Sequence, residues 1–255
     1  MSQRSRRRNF NASSQSQMNA SSSSGGSVSL GTPEESEDYD QYTVMTVKFI
    51  LNHLAARLPI KRADLVKECC NGSSKIFMII QPAVQNRLKS IYGIILHELT
   101  SVKSGGKQYI CFEKNPAVSM IKMRKCERQN QTLLLIILSY IFTKGESVSE
   151  GVMKKFLERL DIDMDKEHEW FGDVKKCLET FRKQLYLKRE KMQSEATSEE
   201  KISIEWGERA LMEFDKKTML INIAEVFHKP TLYFKKQHME LMIDDDNMEV
   251  DSSQI

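Results

Sequence analysis

The sequence predicts an α+β fold, mostly helical, made of tandem winged-helix modules with three helices and a β-hairpin each. Three features predict it. Apolar residues at helical spacing occur in two groups of three runs. Each group is followed by two strand-like runs around a turn. Both groups lie between ends too polar to build a core. The expected boundaries are a Ser-rich disordered tail at 1–40, module A at 41–115, a basic linker at 116–128, module B at 129–232 and an acidic disordered tail at 233–255.

In module A, "YTVMTVKFILNHLAARL" spaces Val44, Val47, Leu51, Leu54 and Leu58 by three and four, one apolar helical face that Pro59 ends. "KRADLVKECC" reads as a short second helix stopped by Asn71-Gly72. A third helix is expected after Pro82, a residue suited to a first helical turn, through "AVQNRLKSIY". "GIILHELTS" and "QYICFEK" then pair as a hairpin around Gly105-Gly106.

Module B opens on "QTLLLIILSYIFTKG", the most apolar stretch of the chain. Leu133 to Phe142 carry no charge. A membrane-spanning helix needs roughly 20 apolar residues, and this run is half that. It is therefore expected to be a buried helix, covered on more than one side and stopped at Gly145. "SVSEGVMKKFLERL" follows, with Val152, Phe156 and Leu160 spaced by four. "EWFGDVKKCLETFRKQL" places Phe171, Val174, Leu178, Phe181 and Leu185 on a buried stripe. "YLKREKM" and "KISIEWG" make the second hairpin, and "ERALMEFDKKTMLINIAEVF" a final helical stretch.

Composition narrows the function. Residues 1–40 hold twelve serines, and their "RSRRR" reads equally as a nuclear-import signal or a solvated cluster. No apolar h-region follows it, and five cysteines without a C-x-x-C pair suit reduced thiols, so a soluble intracellular protein is expected. The net charge is +3, but residues 41–238 hold 34 basic and 24 acidic residues, a net +10 that favours an anionic partner.

The charges cluster. Opposite its apolar stripe, the third helix of module B carries Lys175, Lys176, Arg182 and Lys183, with Glu179 among them. The next strand adds Lys188, Arg189 and Lys191, and the linker "SMIKMRKCER" adds Lys122, Arg124 and Lys125. The third helix and wing of a winged helix are the elements that usually meet DNA, so these residues are candidates for sequence-tolerant phosphate contact. A solvated charged face is the alternative. His168 and Trp206 have neither a metal partner nor a nucleophile nearby and read as packing residues. No phosphate loop, zinc spacing or catalytic constellation occurs in the sequence, which implies no enzyme activity and no cofactor.

Several blocks resemble the MAGE (melanoma-antigen) homology domain family. "QTLLLIILSYIF", "EHEWFGDVKKCL" and "WGERA" match its apolar dileucine helix, its E-H-x-F-[FY]-G block and its W-G-x-R-A block. "YGIILHEL" and "PIKRADLV" are similar to its F-G-I-x-L-K-E-V and P-I-x-K-A-x-[LM]. The match spans roughly residues 42–230. Trp170 stands where the family has Phe, and "RQNQT" replaces the P-K-T-G that precedes the dileucine. The basic core looks most like the ancestral member, a non-SMC subunit of the chromosome-maintenance (SMC) complex used in DNA repair.

The resemblance implies a nuclear, chromosome-associated adaptor. It would bind and stimulate a RING-type E3 ubiquitin ligase subunit, hold a kleisin subunit, and help the assembly contact DNA. It also implies that Leu133 and Leu134, the matching dileucine, contribute to the RING-partner surface. Adjacent helix positions point about 100° apart, so at least one of the two is expected to be core. Two other functions stay open: a MAGE-type ligase regulator outside any SMC complex, and a free-standing winged-helix DNA-binding regulator.

Overall fold

The computed structural model describes residues 33–100, 106–113, 124–145, 147–193 and 200–242. Their elements fall into two units that share one order of helices, short strand and hairpin, to which the second adds a two-stranded ribbon and two closing helices. Unit one contains α1 (Pro33–Leu54), β1 (Ile60–Lys61), α2 (Arg62–Cys69), α3 (Ser74–Tyr92), β2 (Ile94–Glu98) and β3 (Gln108–Glu113). Unit two contains α4 (Lys125–Lys144), β4 (Ser147–Ser149), α5 (Glu150–Glu158), β5 (Glu167–His168), β6 (Gly172–Asp173), α6 (Val174–Lys183), β7 (Leu187–Gln193) and β8 (Glu200–Trp206). It continues through α7 (Glu208–Glu213) and α8 (Lys216–Val226).

Both hairpins are antiparallel, pairing Leu96 with Cys111 and Arg189 with Ile204. In each unit a short strand between the first two helices joins the far side of the hairpin, giving the orders β1-β3-β2 and β4-β8-β7. Sequence periodicity had no means of detecting these two- and three-residue strands. The fold is α+β, with helices dominating, as expected.

Several boundaries and faces differ from the sequence expectation. α1 begins at Pro33, inside the segment expected as tail. It buries Thr43, Thr46, Val47, Ile50 and Leu54, while Val44 and Leu58 are exposed. The two threonines enter the core because each hydroxyl donates to the carbonyl four residues back, Tyr39 and Tyr42, at 2.8 Å. Pro82 lies inside α3 and does not open it. Ser73 caps that helix by accepting from the Ile76 N–H, and Gly93, in the left-handed region, closes it. Pro82 leaves the Met78 carbonyl without its helical donor, and Met78 is exposed, where water can replace it.

In unit two the expected basic linker is partly helical. Arg124 N-caps α4, and Glu127 accepts from the Arg124 backbone N–H at 2.8 Å. α5 turns Met153 and Leu157 inward and leaves Val152 and Leu160 exposed. Residues 235–242, expected as tail, are helical. There Leu241 is buried, and Gln237 donates to the carbonyls of Phe142 and Thr143 at the end of α4. These bonds satisfy orphan carbonyls that a helix C-terminus leaves open. Lys122, the "RSRRR" cluster and Gly105 lie outside the described residues.

Candidate functional site

The two units meet through a polar junction built on "WGERA". Gly207 allows the close approach: a Cβ there would lie 2.2 Å from the Leu185 carbonyl oxygen. Two residues on, Arg209 is 1% exposed, and the whole fork of its guanidinium is engaged. Nε donates to Gln184 O at 2.8 Å, Nη2 to Arg57 O at 2.9 Å, and Nη1 to Cys111 O at 2.8 Å. Nη1 also pairs with Glu213 at 2.8 Å. Two of these carbonyls belong to unit one.

A second line of bonds runs alongside. Arg57 donates to the Tyr186 hydroxyl at 2.7 Å, and that hydroxyl donates to Glu213 at 2.7 Å. Burial and the Glu213 charge push the Tyr186 phenol well above its ordinary value, so it stays protonated and donates. Glu208 accepts from the Thr100 N–H at 2.8 Å, and a small apolar cluster of Leu99, Ile110 and Phe112 packs beside Leu185. A buried charge held by this many bonds fixes one geometry between the units. In the sequence, Arg209 was legible only as a letter of a family block; nothing local signals that its partners lie 98 and 152 residues away.

Leu133 and Leu134, expected at a partner surface, are 0% and 2% exposed, so both belong to the core of unit two. The reason is the breadth of the buried face of α4. Leu133, Ile137 and Ile141 form one stripe, and Leu134, Leu138 and Phe142 the adjacent one. Trp206 packs near Phe142 and donates its indole N–H to Leu138 O at 3.0 Å.

The side of α4 that stays open is the next one round. Leu135, Ile136 and Tyr140, with Phe156 of α5 and Val226 and Phe227 at the end of α8, line an apolar groove of about 440 Å³. Leu135 is 39% exposed, Phe227 62% and Val226 75%, and Tyr140 stacks on Phe156 with ring centres 3.6 Å apart. Exposed apolar surface of this kind makes the groove a candidate interaction site. Leu135 was in the quoted run, but phase within so apolar a helix cannot be read without its neighbours.

The basic residues are exposed and mostly occupied. Lys175 pairs with Asp165 at 2.6 Å, Lys176 with Asp173 at 3.0 Å and Arg182 with Glu179 at 2.9 Å. On β7, Lys188 contacts Glu190 and Glu205, and Arg189 pairs with Glu150 at 2.8 Å. Lys183 and Lys191 are also exposed. Arg124 bonds Glu127, and Lys125 opens α4. α6 thus presents a mixed face rather than a purely positive one.

His168 and Trp206 are half-buried. The His168 Nδ1 accepts from the backbone N–H of Trp170 and Phe171 at 3.1 and 3.2 Å, which holds the β5–β6 turn. Among the described residues no group of His, Cys, Asp or Glu is placed to hold a metal, and no helix is long and apolar enough to cross a membrane.

Comparison with known proteins gives a consistent answer. Residues 46–217 match the MAGE homology domain. The chain is 29% identical over 204 residues to the Non-structural maintenance of chromosomes element 3 homolog of Homo sapiens, covering 79% of this chain and 66% of that protein. It is 28% identical over 197 residues to Melanoma-associated antigen D2 of Homo sapiens, covering 77% of this chain and 32% of that protein. Among solved structures, a chain of the "Nse1-Nse3-Nse4 complex" matches with TM-score 0.70 and 29% identity, covering 80% of this chain and 97% of that one. The chain belongs to the MAGE homology domain family.

Proposed function

We propose that this chain is a non-catalytic scaffold of a nuclear, chromosome-associated SMC complex of DNA repair. In this role it binds and stimulates a RING-type ubiquitin-ligase subunit, holds a kleisin subunit and contacts DNA without sequence preference. The observation that carries the reading is the match to a chain of the Nse1-Nse3-Nse4 complex over 97% of that chain. Two features support an adaptor role. The Arg209 junction holds two winged-helix-like units in one fixed relation, as a scaffold bridging several partners requires. The groove beside Leu135 offers an unfilled apolar surface on the dileucine helix. We assign it to the RING subunit: Leu133 and Leu134 support the helix from beneath, and Leu135, Ile136 and Tyr140 make the contact.

Affinity capture of the tagged full chain from its own cells, read by mass spectrometry, tests the proposal. Recovery of a RING protein together with kleisin and SMC subunits is expected. A RING protein without SMC subunits would favour a ligase regulator acting alone, a reading that the 28% identity to Melanoma-associated antigen D2 keeps in view.

A further inference from the structure

We infer that unit one carries its own docking site for nucleic-acid backbone phosphates, in the open depression where β1 runs into α2 beside the turn of the β2–β3 hairpin. The inference deepens the DNA-contact part of the proposed function and rests on it. Lys61, Arg62, Lys67 and Lys107 line the depression with Gly72 and Gly106, around a volume of about 560 Å³.

Four observations converge there. First, Lys61 and Arg62 have no carboxylate within ion-pair distance among the described residues, unlike the paired cations of α6 and β7. The Arg62 guanidinium lies 5.5 Å from the centre of the Phe77 ring, and its Nε is buried without a hydrogen-bond partner. Second, Lys61 is the N-cap of α2 and makes no side-chain cap bond to the first turn, where the Arg62 N–H is held by the Lys107 carbonyl at 2.9 Å. Such a terminus attracts anions.

Third, Gly72 and Gly106 have positive φ, and a Cβ on either would meet nothing within 4 Å. A phosphate can therefore approach their backbone closely. Fourth, of the carboxylates nearby, Glu68 and Glu98 are held only by exposed lysines, Lys67 at 3.4 Å and Lys107 at 2.6 Å, and Asp64, in the first turn of α2, is exposed. Exposed pairs of this kind contribute little to stability and are screened by salt, so they leave the lysines available to another anion. The cations come from a strand–helix junction, a helix and a hairpin turn. That spread fits a string of singly charged phosphodiesters better than a single phosphorylated side chain.

The test is fluorescence anisotropy of the full chain with a fluorescein-labelled DNA duplex across a salt titration. The variant Lys61→Gln with Arg62→Gln is expected to bind about tenfold more weakly at low salt and to lower the salt slope by about 2, one for each phosphate contact removed. The variant Lys61→Gln with Lys107→Gln changes only exposed side chains and gives a matching loss with an unchanged melting temperature. Should both pocket variants bind like the wild type while Lys175→Gln with Arg182→Gln loses binding, the pocket is overturned and DNA contact stands. A wild-type chain that ignores DNA even at low salt overturns both. Capture of a phosphoserine peptide instead of DNA, lost in the pocket variants, overturns the assignment in favour of a phosphorylated protein partner.

Discussion

Arg209 Nη1, on α7 of the second unit, donates a 2.8 Å hydrogen bond to the carbonyl of Cys111, in the last strand of the first unit. A side chain from one repeat thus completes the backbone bonding of the other. The same guanidinium reaches Arg57 O, at the end of the turn after α1. One residue therefore reads the positions of two separate parts of unit one, and a change in the angle between units would break both bonds together.

Replacing Arg209 by Ala removes one member of a buried pair and leaves carbonyls unbonded, which is expected to cost about 3–5 kcal/mol. Arg209→Lys should recover only part of this, because an ammonium cannot reproduce the planar fork. Urea unfolding followed by fluorescence and by circular dichroism checks it. Non-coincident transitions in the Ala variant would mark loss of coupling between units.

The dileucine and its neighbour should separate cleanly. Leu133→Ala is expected to cost about 2–5 kcal/mol, as a truncation in a packed core. Leu135→Asp should leave stability within about 1 kcal/mol, since its side chain faces the groove, yet abolish binding of the RING subunit. Thermal melts and a pull-down on both variants check the pair of expectations. Normal RING binding by a folded Leu135→Asp chain would remove the groove from the account.

How much of this was legible in the sequence follows from how local each signal is. The two hairpins, the Asn71-Gly72 stop and the Gly145 stop were readable because a turn or helix end is written in adjacent residues. The inward faces of α1 and α5 were misjudged because apolar spacing marks every apolar residue, including exposed Val44 and Val152, while core positions at Thr43 and Thr46 depend on hydroxyls bonded within the helix. Pro82 was read as a helix start because its tolerance inside α3 depends on exposure, which no local pattern encodes. The inter-unit role of Arg209 was invisible for a similar reason: its acceptors are backbone carbonyls, which carry no sequence signature. The basic clusters and their local partners, such as Glu179 beside Arg182, were readable, but Asp165 beside Lys175 and Glu150 beside Arg189 come from other segments of the chain.

Asp165 gives a pH signature for that neutralised face. Hydrogen bonds from Lys154 and Lys175 lower its pKa from 3.8 to about 2. A depressed carboxylate stabilises the fold above its unfolded value, and that contribution is lost as pH falls through the folded one. Its share should therefore be complete above about pH 4–5 and disappear towards pH 2. A carboxyl NMR titration is expected to give a midpoint near 2, moving up towards 3.8 in Lys175→Gln. A midpoint already at 3.8 in the wild type would show that neither lysine is engaged.

The thiols report whether the core of unit one stays folded. Cys126 is exposed, whereas burial pushes Cys69 up to about 11 and Cys111 up to about 12. A disulfide reagent at neutral pH should modify Cys126 quickly and leave Cys111 untouched until the chain unfolds, because only the thiolate reacts. The Cys111 side chain packs in the core of unit one, so its modification, followed by peptide mass mapping, marks unfolding of that unit.

In the proposed function the chain joins a RING subunit to a kleisin. The most direct measurement is size-exclusion chromatography with light scattering on the full chain mixed with its purified RING and kleisin partners. A single species with the mass of one copy of each is predicted, dissociating at the RING contact in Leu135→Asp. Elution of the chain alone, with the other two unretained, would contradict the account.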